Sequence, residues 1–575
     1  MTVQTTASNS AAIEGDLEAL TAGARRWAAL SLTGRRELLQ ELSRTVEGSA
    51  RDWVTVAARY KGVDPQSPLV GEEWVSGPYA VLAALGALTE TLQALEAGRS
   101  PVDGFGIEPA PGGRVAVEVL PHNIFDRLLL SGFSVQVWMP PGTTAEQLRS
   151  RAGLGQLTPT SGGGIGVVLG AGNITSIPPL DVLYELLAHN RVSILKLNPV
   201  TDELLPVLQK AFAPLIRRGF LRILCGGAEF GQQLITSKMI GHVHITGSAA
   251  SHDSIVFGPG VEGEARKAAF QQQAAAPLLE KEMTSELGGV SPIIVVPGKW
   301  SKADLRFQAE HVATQRLHNG GYNCIAGQVL LLSSDWPQRE AFLTELRSAM
   351  RRAPARSAYY PGSDRRLSDA KSHYPGAEDL GSGRLLIADA ALSTGENALT
   401  VEYFAPVLAV VQLPGQGSAF LRSAIAAANE HLVGTLGANI LIHPATLRAA
   451  GSSFRSALAE LRYGCIAVNA WTAFGFLTAR ATWGAFPGAG IGDVQSGIGV
   501  VHNALLIADS ERTVVQGPFR PLSRSLAARE FTLTPKPLWF VGNRTQATTA
   551  RRMTMFVAKP RWRALPGIFA SALRG

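Results

Sequence analysis

The chain has 575 residues, of which 46% are hydrophobic and 17% charged, so it is globular, not disordered, and long enough for two or three domains. Sixty glycines and 33 prolines are spread without a period, which excludes collagen-like and low-complexity sequence. The net charge of +7 is uneven: residues 501–575 carry 12 Lys and Arg against 3 Asp and Glu, a local +9 that leaves the first 500 residues at −2. Three cysteines, Cys225, Cys324 and Cys465, are too few and too irregular for a disulfide framework or a metal site. A cytoplasmic protein is therefore expected. The N-terminus lacks the basic and apolar regions of a signal peptide, and no apolar run is long enough to span a bilayer.

In chain order, residues 10–60 show helical apolar spacing through Trp27, Leu30, Leu38, Leu39 and Leu42, and 79–95 reads as a further helix ending near Gly98. Residues 112–120 and 133–139 alternate polar and apolar side chains, the pattern of antiparallel strands. From Gly164 the texture becomes strand then helix, with runs at 165–169, 180–188, 192–197, 204–216, 221–224 and 239–245. Such alternation predicts a parallel sheet covered by helices on both faces. A second α/β unit runs from about 290 to 487. Expected divisions are 1–110 helical, 111–160 antiparallel strands, 161–287 and 288–488 for the two α/β units, and 489–575 for a basic extension.

Two segments carry chemistry. Asn319 to Gly327, Asn-Gly-Gly-Tyr-Asn-Cys-Ile-Ala-Gly, sets Cys324 in a glycine-rich turn, where a thiol can meet a substrate and backbone N–H groups can converge on an oxyanion. Glu286 lies in Glu-Leu-Gly-Gly, 38 residues earlier, where the glycines leave room for a carboxylate beside a reacting group. His242 and His244 share a strand face, but no third ligand accompanies them, so no metal is assigned.

With Gly-Ala-Gly-Asn-Ile (170–174), Ser-Ile-Leu-Lys (193–196), Ile-Thr-Gly-Ser (245–248) and Val-Glu-Tyr-Phe-Ala-Pro-Val (401–407), these segments stand in one order over residues 160–500. That ordered set resembles the aldehyde dehydrogenase superfamily. The resemblance implies two doubly wound parallel-sheet domains of Rossmann-like type, with a small antiparallel oligomerisation sheet. It implies a homo-oligomer, dimer or tetramer, acting on a small-molecule aldehyde with NAD or NADP. Cys324 would be the nucleophile, Asn173 the oxyanion donor and Glu286 the water-activating base of a thioester intermediate. Lys196, Gly247, Ser248, Glu402 and Phe404 would hold the dinucleotide. Pro199 stands where many NAD-preferring members place a ribose-binding glutamate, which leaves both cofactors open.

This chain departs from the family at Phe404-Ala405-Pro406 and at Trp483-Gly484-Ala485-Phe486-Pro487-Gly488. Two alternatives accompany the dehydrogenase reading: an acyl-CoA or acyl-thioester reductase, and a catalytically silent scaffold. Beyond residue 545, Arg551, Arg552, Lys559, Arg561, Arg563 and Arg574 interleave with Met553, Met555, Phe556, Trp562, Leu565, Ile568 and Phe569. That pattern suits weak contact with an anionic membrane surface or, more readily given Pro560 and Pro566, an arm packed on its own chain. No nucleic-acid-binding module is present, so no nucleic-acid partner is expected.

Overall fold

Leucine and tryptophan at helical spacing build the first layer. The computed structural model describes residues 10–528 and 530–575. The helices Ser10–Ala29 and Leu32–Tyr60 are separated at Ser31, whose hydroxyl accepts from the Gly34 N–H and so caps the second. Leu38, Leu39, Leu42, Val46 and Trp53 are buried on one face of that helix, against Ala80–Glu96 and the helices Leu205–Ala211 and Ala213–Arg218, while Ser10–Ala29 meets the first sheet. A buried polar clasp fixes the register: Asn190 Oδ1 accepts from Arg35 Nη1 at 2.7 Å and from Trp27 Nε1 at 3.2 Å.

That first sheet has six strands in the order Gly497–Ile498, Glu282–Leu287, His242–Gly247, Ile165–Leu169, Val192–Lys196 and Leu221–Leu224. All pairs are parallel except the outermost, Gly497–Ile498 on Glu282–Leu287. The single helix expected over 204–216 is two, Leu205–Ala211 and Ala213–Arg218, because Pro214 cannot donate to a continuing ladder.

The second sheet has eleven strands. Its parallel centre runs Arg512–Gln516, Cys465–Val468, Gly437–Leu441, Ser291–Val295, Gly327–Ser333, Val407–Leu413 and Leu385–Ile387. Gly106–Ala110, Arg114–Leu120 and Ser134–Trp138 extend it antiparallel through Arg512–Gln516. The strands expected near 111–160 thus continue a sheet of their own chain. Within the stretch expected as a basic extension, 489–575, Gly497–Ile498 pairs in the first sheet and Arg512–Gln516 in the second. Alternation at 512–516 is hidden because both faces of the strand are covered, leaving Arg512 to Thr513 to Val515 all buried.

The interleaved residues at the C-terminus fold onto the chain. Met553, Phe556, Leu565 and Ile568 from the helices Gln546–Ala558 and Leu565–Ala572 bury together against Tyr79 and Phe125. Trp562 stays 60% exposed. Arg51, Arg551, Lys559, Arg561 and Arg563 line a groove floored by Trp74, and Lys559 pairs with Glu47 at 2.7 Å. Among the described residues no helix is long and apolar enough to cross a membrane. Truncation after residue 545 uncovers Trp74, Val75 and Tyr79 and removes buried side chains contributing roughly 1.5–3 kcal/mol each. A lower thermal midpoint and new binding of an apolar dye are expected; an unchanged midpoint would show that these helices contribute nothing to the fold.

Candidate active site

Strand ends of both sheets deliver their functional side chains to one cleft. Asn173, Lys196, Gly247, Ser248, Glu286, Cys324, Glu402 and Phe404 all line it, so the residues singled out from the sequence are brought together. Cys324 reaches it from a turn in which Asn319, Gly320 and Gly321 take φ of 54°, 70° and 85°, three consecutive left-handed residues that only glycine and asparagine tolerate well. Glu286 closes the strand Glu282–Leu287. The following Gly288 must lack a side chain, because a Cβ there would lie 2.1 Å from Glu402 Oε1.

At the centre, Cys324 Sγ donates to Glu286 Oε1 at 3.6 Å. The same oxygen accepts from Trp483 Nε1 at 2.8 Å, while Glu286 Oε2 is buried with no protein partner. Burial pushes the Glu286 carboxyl above its usual range, and the Cys324 thiol is pushed far up by burial and by the Glu286 and Glu402 charges. The cysteine is half-buried. It therefore rests as a thiol, not a thiolate, with its proton acceptor already in place. Glu402 is raised to about 8 by burial, against the opposing influence of Arg316.

Asn173 is 6% exposed and its Nδ2 donates to the Tyr322 carbonyl at 2.9 Å, leaving the second amide hydrogen for the cleft. Behind it lies a buried ionic network that sequence reasoning missed. Lys61 Nζ, fully buried, sits 2.9 Å from Glu73 and donates to the Asn173 carbonyl at 2.8 Å. Arg356 meets Glu72 at 3.1 Å, and Glu72 also accepts from the Asn319 N–H at 3.1 Å. Two cations and two carboxylates thus neutralise one another out of water and join the Cys324 turn to the Asn173 loop. Paired glutamates in Val-Gly-Glu-Glu-Trp-Val, an otherwise apolar run, were the available signal.

Glu402 Oε1 is buried and without a protein partner in the cleft, and Ser248 caps the helix Ala249–Phe257, whose first turn lines the cleft. Lys196 ends the strand Val192–Lys196 beside Asn198 and Pro199, its pKa lowered by burial. This donor set fits a dinucleotide. Arg366 and Tyr360, not anticipated from the sequence, line the same cleft, and Arg366 donates to the Phe404 carbonyl at 3.4 Å. His242 and His244 instead meet buried carboxylates, Glu185 at 3.2 Å and Asp181 at 3.5 Å. Burial raises the other thiols, Cys225 to about 12 with the Asp202 carboxylate beside it, and Cys465 further up, and neither lines the cleft.

A second cavity, narrow and apolar, also reaches Cys324 and Glu286. Trp471, Phe474, Phe476 and Leu477 form its walls, and Leu538, Trp539 and Gln546 of the C-terminal region complete it.

Residues 182–364 match the model of the aldehyde dehydrogenase family. That match covers about a third of the chain, the stretch that holds Lys196, Glu286 and Cys324. Solved structures share the chain's fold. One is an aldehyde dehydrogenase C variant from Pseudomonas syringae in complex with NAD+ and octanal (TM-score 0.60, 15% identity, 89% of this chain and 90% of that one). Another is a gamma-glutamyl-gamma-aminobutyraldehyde dehydrogenase from Burkholderia cenocepacia (TM-score 0.56, 18% identity, 87% and 88%). A third is a lactaldehyde dehydrogenase from Escherichia coli (TM-score 0.57, 16% identity, 88% and 91%). No curated protein matches this chain by sequence.

The raised Glu402 carboxyl sets a pH dependence. Folded, it holds a proton from its ordinary 4.5 up to about 8, whereas the unfolded chain has already lost it. Its contribution to stability is therefore complete below pH 4.5 and is lost as pH rises towards about 8, on the order of a few kcal/mol in total. Glu402→Gln should flatten that decline in denaturant titrations across the window; a slope as steep as the parent's would show that Glu402 is not the group titrating.

Proposed function

We propose that this chain oxidises an apolar aldehyde to a carboxylic acid with NAD or NADP, through a thioester on Cys324. The observation that carries this reading is the Cys324 thiol 3.6 Å from the Glu286 carboxylate, where a large cleft of mixed polarity meets a narrow apolar cavity. The cleft suits a dinucleotide and the cavity an aldehyde's carbon chain.

Glu286 Oε1 accepts the thiol proton as Sγ bonds to the aldehyde carbon. The negative charge that develops on the carbonyl oxygen is met by the free Asn173 amide hydrogen and the Cys324 N–H. Bound NAD or NADP supplies the hydride acceptor, and loss of hydride from the carbon leaves an acyl thioester. Glu286, having passed its first proton to solvent, then takes one from water as the water oxygen adds to the thioester carbon. The carbon–sulfur bond breaks, the acid departs, and Sγ regains a proton. Trp483 Nε1 holds Oε1 throughout, leaving Oε2 free for the water. A water-activating carboxylate favours hydrolysis over transfer to coenzyme A, and a thiol paired with its base argues against a silent scaffold.

The expected homo-oligomer, dimer or tetramer, is supported by Gly106–Ala110, an outer strand with only one neighbour, since unpaired N–H and C=O groups there are a template for a second chain. The basic groove supports weak contact with an anionic surface, and three free cysteines support the cytoplasm. Light scattering reads the first; pelleting with anionic vesicles at low salt reads the second, and protein that stays in the supernatant would end it.

Cys324→Ala should lower turnover by ~10^4 or more with dinucleotide binding retained. Glu286→Gln should lower steady-state hydrolysis by about 10^2–10^4, with a burst of reduced cofactor if another base can still accept the thiol proton. Turnover of the Cys324→Ala protein at the parent rate would remove the mechanism, and acceleration of Glu286→Gln by coenzyme A would move it to acyl transfer.

A further inference from the structure

The apolar cavity beside Cys324 contains polar atoms that the protein leaves unsatisfied. Gln546 is fully buried on its wall, and both side-chain amide atoms, Nε2 and Oε1, lack a hydrogen-bond partner. Trp539 Nε1 and Glu72 Oε1 line the same cavity, equally buried and equally unpartnered. Leaving such groups unmade is unfavourable by roughly 1–3 kcal/mol each, so a cluster of them marks a place where something else completes the bonds.

Packing holds the amide in position. Gln546 is the first residue of the helix Gln546–Ala558, pressed on Gly71, where a Cβ would come within 2.5 Å of Gln546 Cγ and 2.6 Å of its backbone carbon. The side chain has no room to turn back. Charge also restricts the occupant. Glu286 lies at the Cys324 end, and at the far end Glu72 is already balanced by Arg356 at 3.1 Å and Glu73 by Lys61 at 2.9 Å, so a carboxylate or ammonium added there would enter an apolar space without an unpaired counter-charge. What remains is an uncharged group able both to accept, from Gln546 Nε2 and Trp539 Nε1, and to donate, to Gln546 Oε1 or Glu72 Oε1.

We infer that Gln546 and Trp539 form a specificity subsite for an aldehyde that carries a second, uncharged donor–acceptor group, a hydroxyl or a carboxamide, at the far end of an apolar chain. The inference rests on Cys324 being the nucleophile of the same cavity. It also gives the C-terminal segment a role, since all three residues that complete the cavity from that side, Leu538, Trp539 and Gln546, lie beyond the second sheet's last strand.

The test uses the full-length enzyme and a homologous series of straight-chain aldehydes with and without a terminal hydroxyl or carboxamide. The parent should prefer the bearing member of a matched pair by about tenfold or more in kcat/KM. Gln546→Leu should abolish that preference while leaving plain alkanals equal or better, and Trp539→Phe, which removes only the N–H donor, should reduce it. Because Gln546 opens its helix, Trp539→Phe and binding of the matching non-oxidisable diols and hydroxyamides by calorimetry provide readouts independent of that helix start and of turnover. Reduced cofactor formed with no preference within the pairs, and no change on substitution, would overturn the subsite and leave the dehydrogenase reading standing. Diol binding lost in Gln546→Leu, with no reduced cofactor from any aldehyde, would overturn the dehydrogenase reading instead and leave the subsite standing.

Discussion

Holding carboxyl groups out of water beside one thiol is the constraint around which this structure is arranged. Glu286 and Glu402 both lie buried within electrostatic reach of Cys324, and each raises the thiol's pKa further. Left alone, such a cluster would be strongly unfavourable. It persists because each member has one definite partner: Glu286 the Trp483 indole at 2.8 Å, Glu402 the Gly289 N–H and the field of Arg316. The glycines after Glu286 are where that arrangement reaches the backbone, since a Cβ added at Gly288 would lie 2.1 Å from Glu402 Oε1. In the proposed mechanism a raised carboxyl pKa suits Glu286, because its base must both take up and release a proton within one turnover.

The same logic extends one layer outwards. The loop that presents Asn173 and the turn that presents Cys324 belong to different sheets, and nothing in either sheet's ladder fixes their separation. The Lys61, Glu73, Glu72 and Arg356 network does, by placing an ammonium on the Asn173 carbonyl and a carboxylate on the Asn319 N–H. Charges rather than apolar side chains suit this place because hydrogen bonds fix direction, whereas apolar contacts leave sliding freedom. Both glutamates come from the short helix Val70–Trp74, against which the C-terminal helix Gln546–Ala558 packs. The N-terminal helices, the C-terminal segment and the reacting groups are thus mechanically one unit.

Local sequence determined much of this. Apolar spacing located the first helices, strand and helix alternation located the parallel sheet from 165 to 247, and the ordered Gly-Asn, Lys, Thr-Gly-Ser, Glu-Leu-Gly-Gly and Cys segments located one cleft. These are legible because each depends on a backbone requirement written in its own residues: a left-handed turn at 319–321, a helix capped by Ser248, a strand that ends on Lys196. Cys324 was distinguishable from Cys225 and Cys465 for the same reason, since only it sits on such a turn.

Tertiary structure alone decided the rest. That residues 497–516 return to two sheets could not be read locally, because a short strand covered on both faces loses its alternation and takes its identity from its neighbours. Trp483, a departure from the family pattern in sequence, becomes the donor that orients Glu286 from 197 positions away. Lys61 and Asn173, or Gln546 and Gly71, meet only after the helices have packed, and no spacing rule joins residues so distant along the chain. The sequence by itself determined which residues can do the chemistry, because reactivity begins in residue type and local backbone. Only the fold decided how those residues are charged, oriented and enclosed, because burial and pairing are properties of the surroundings that other segments supply.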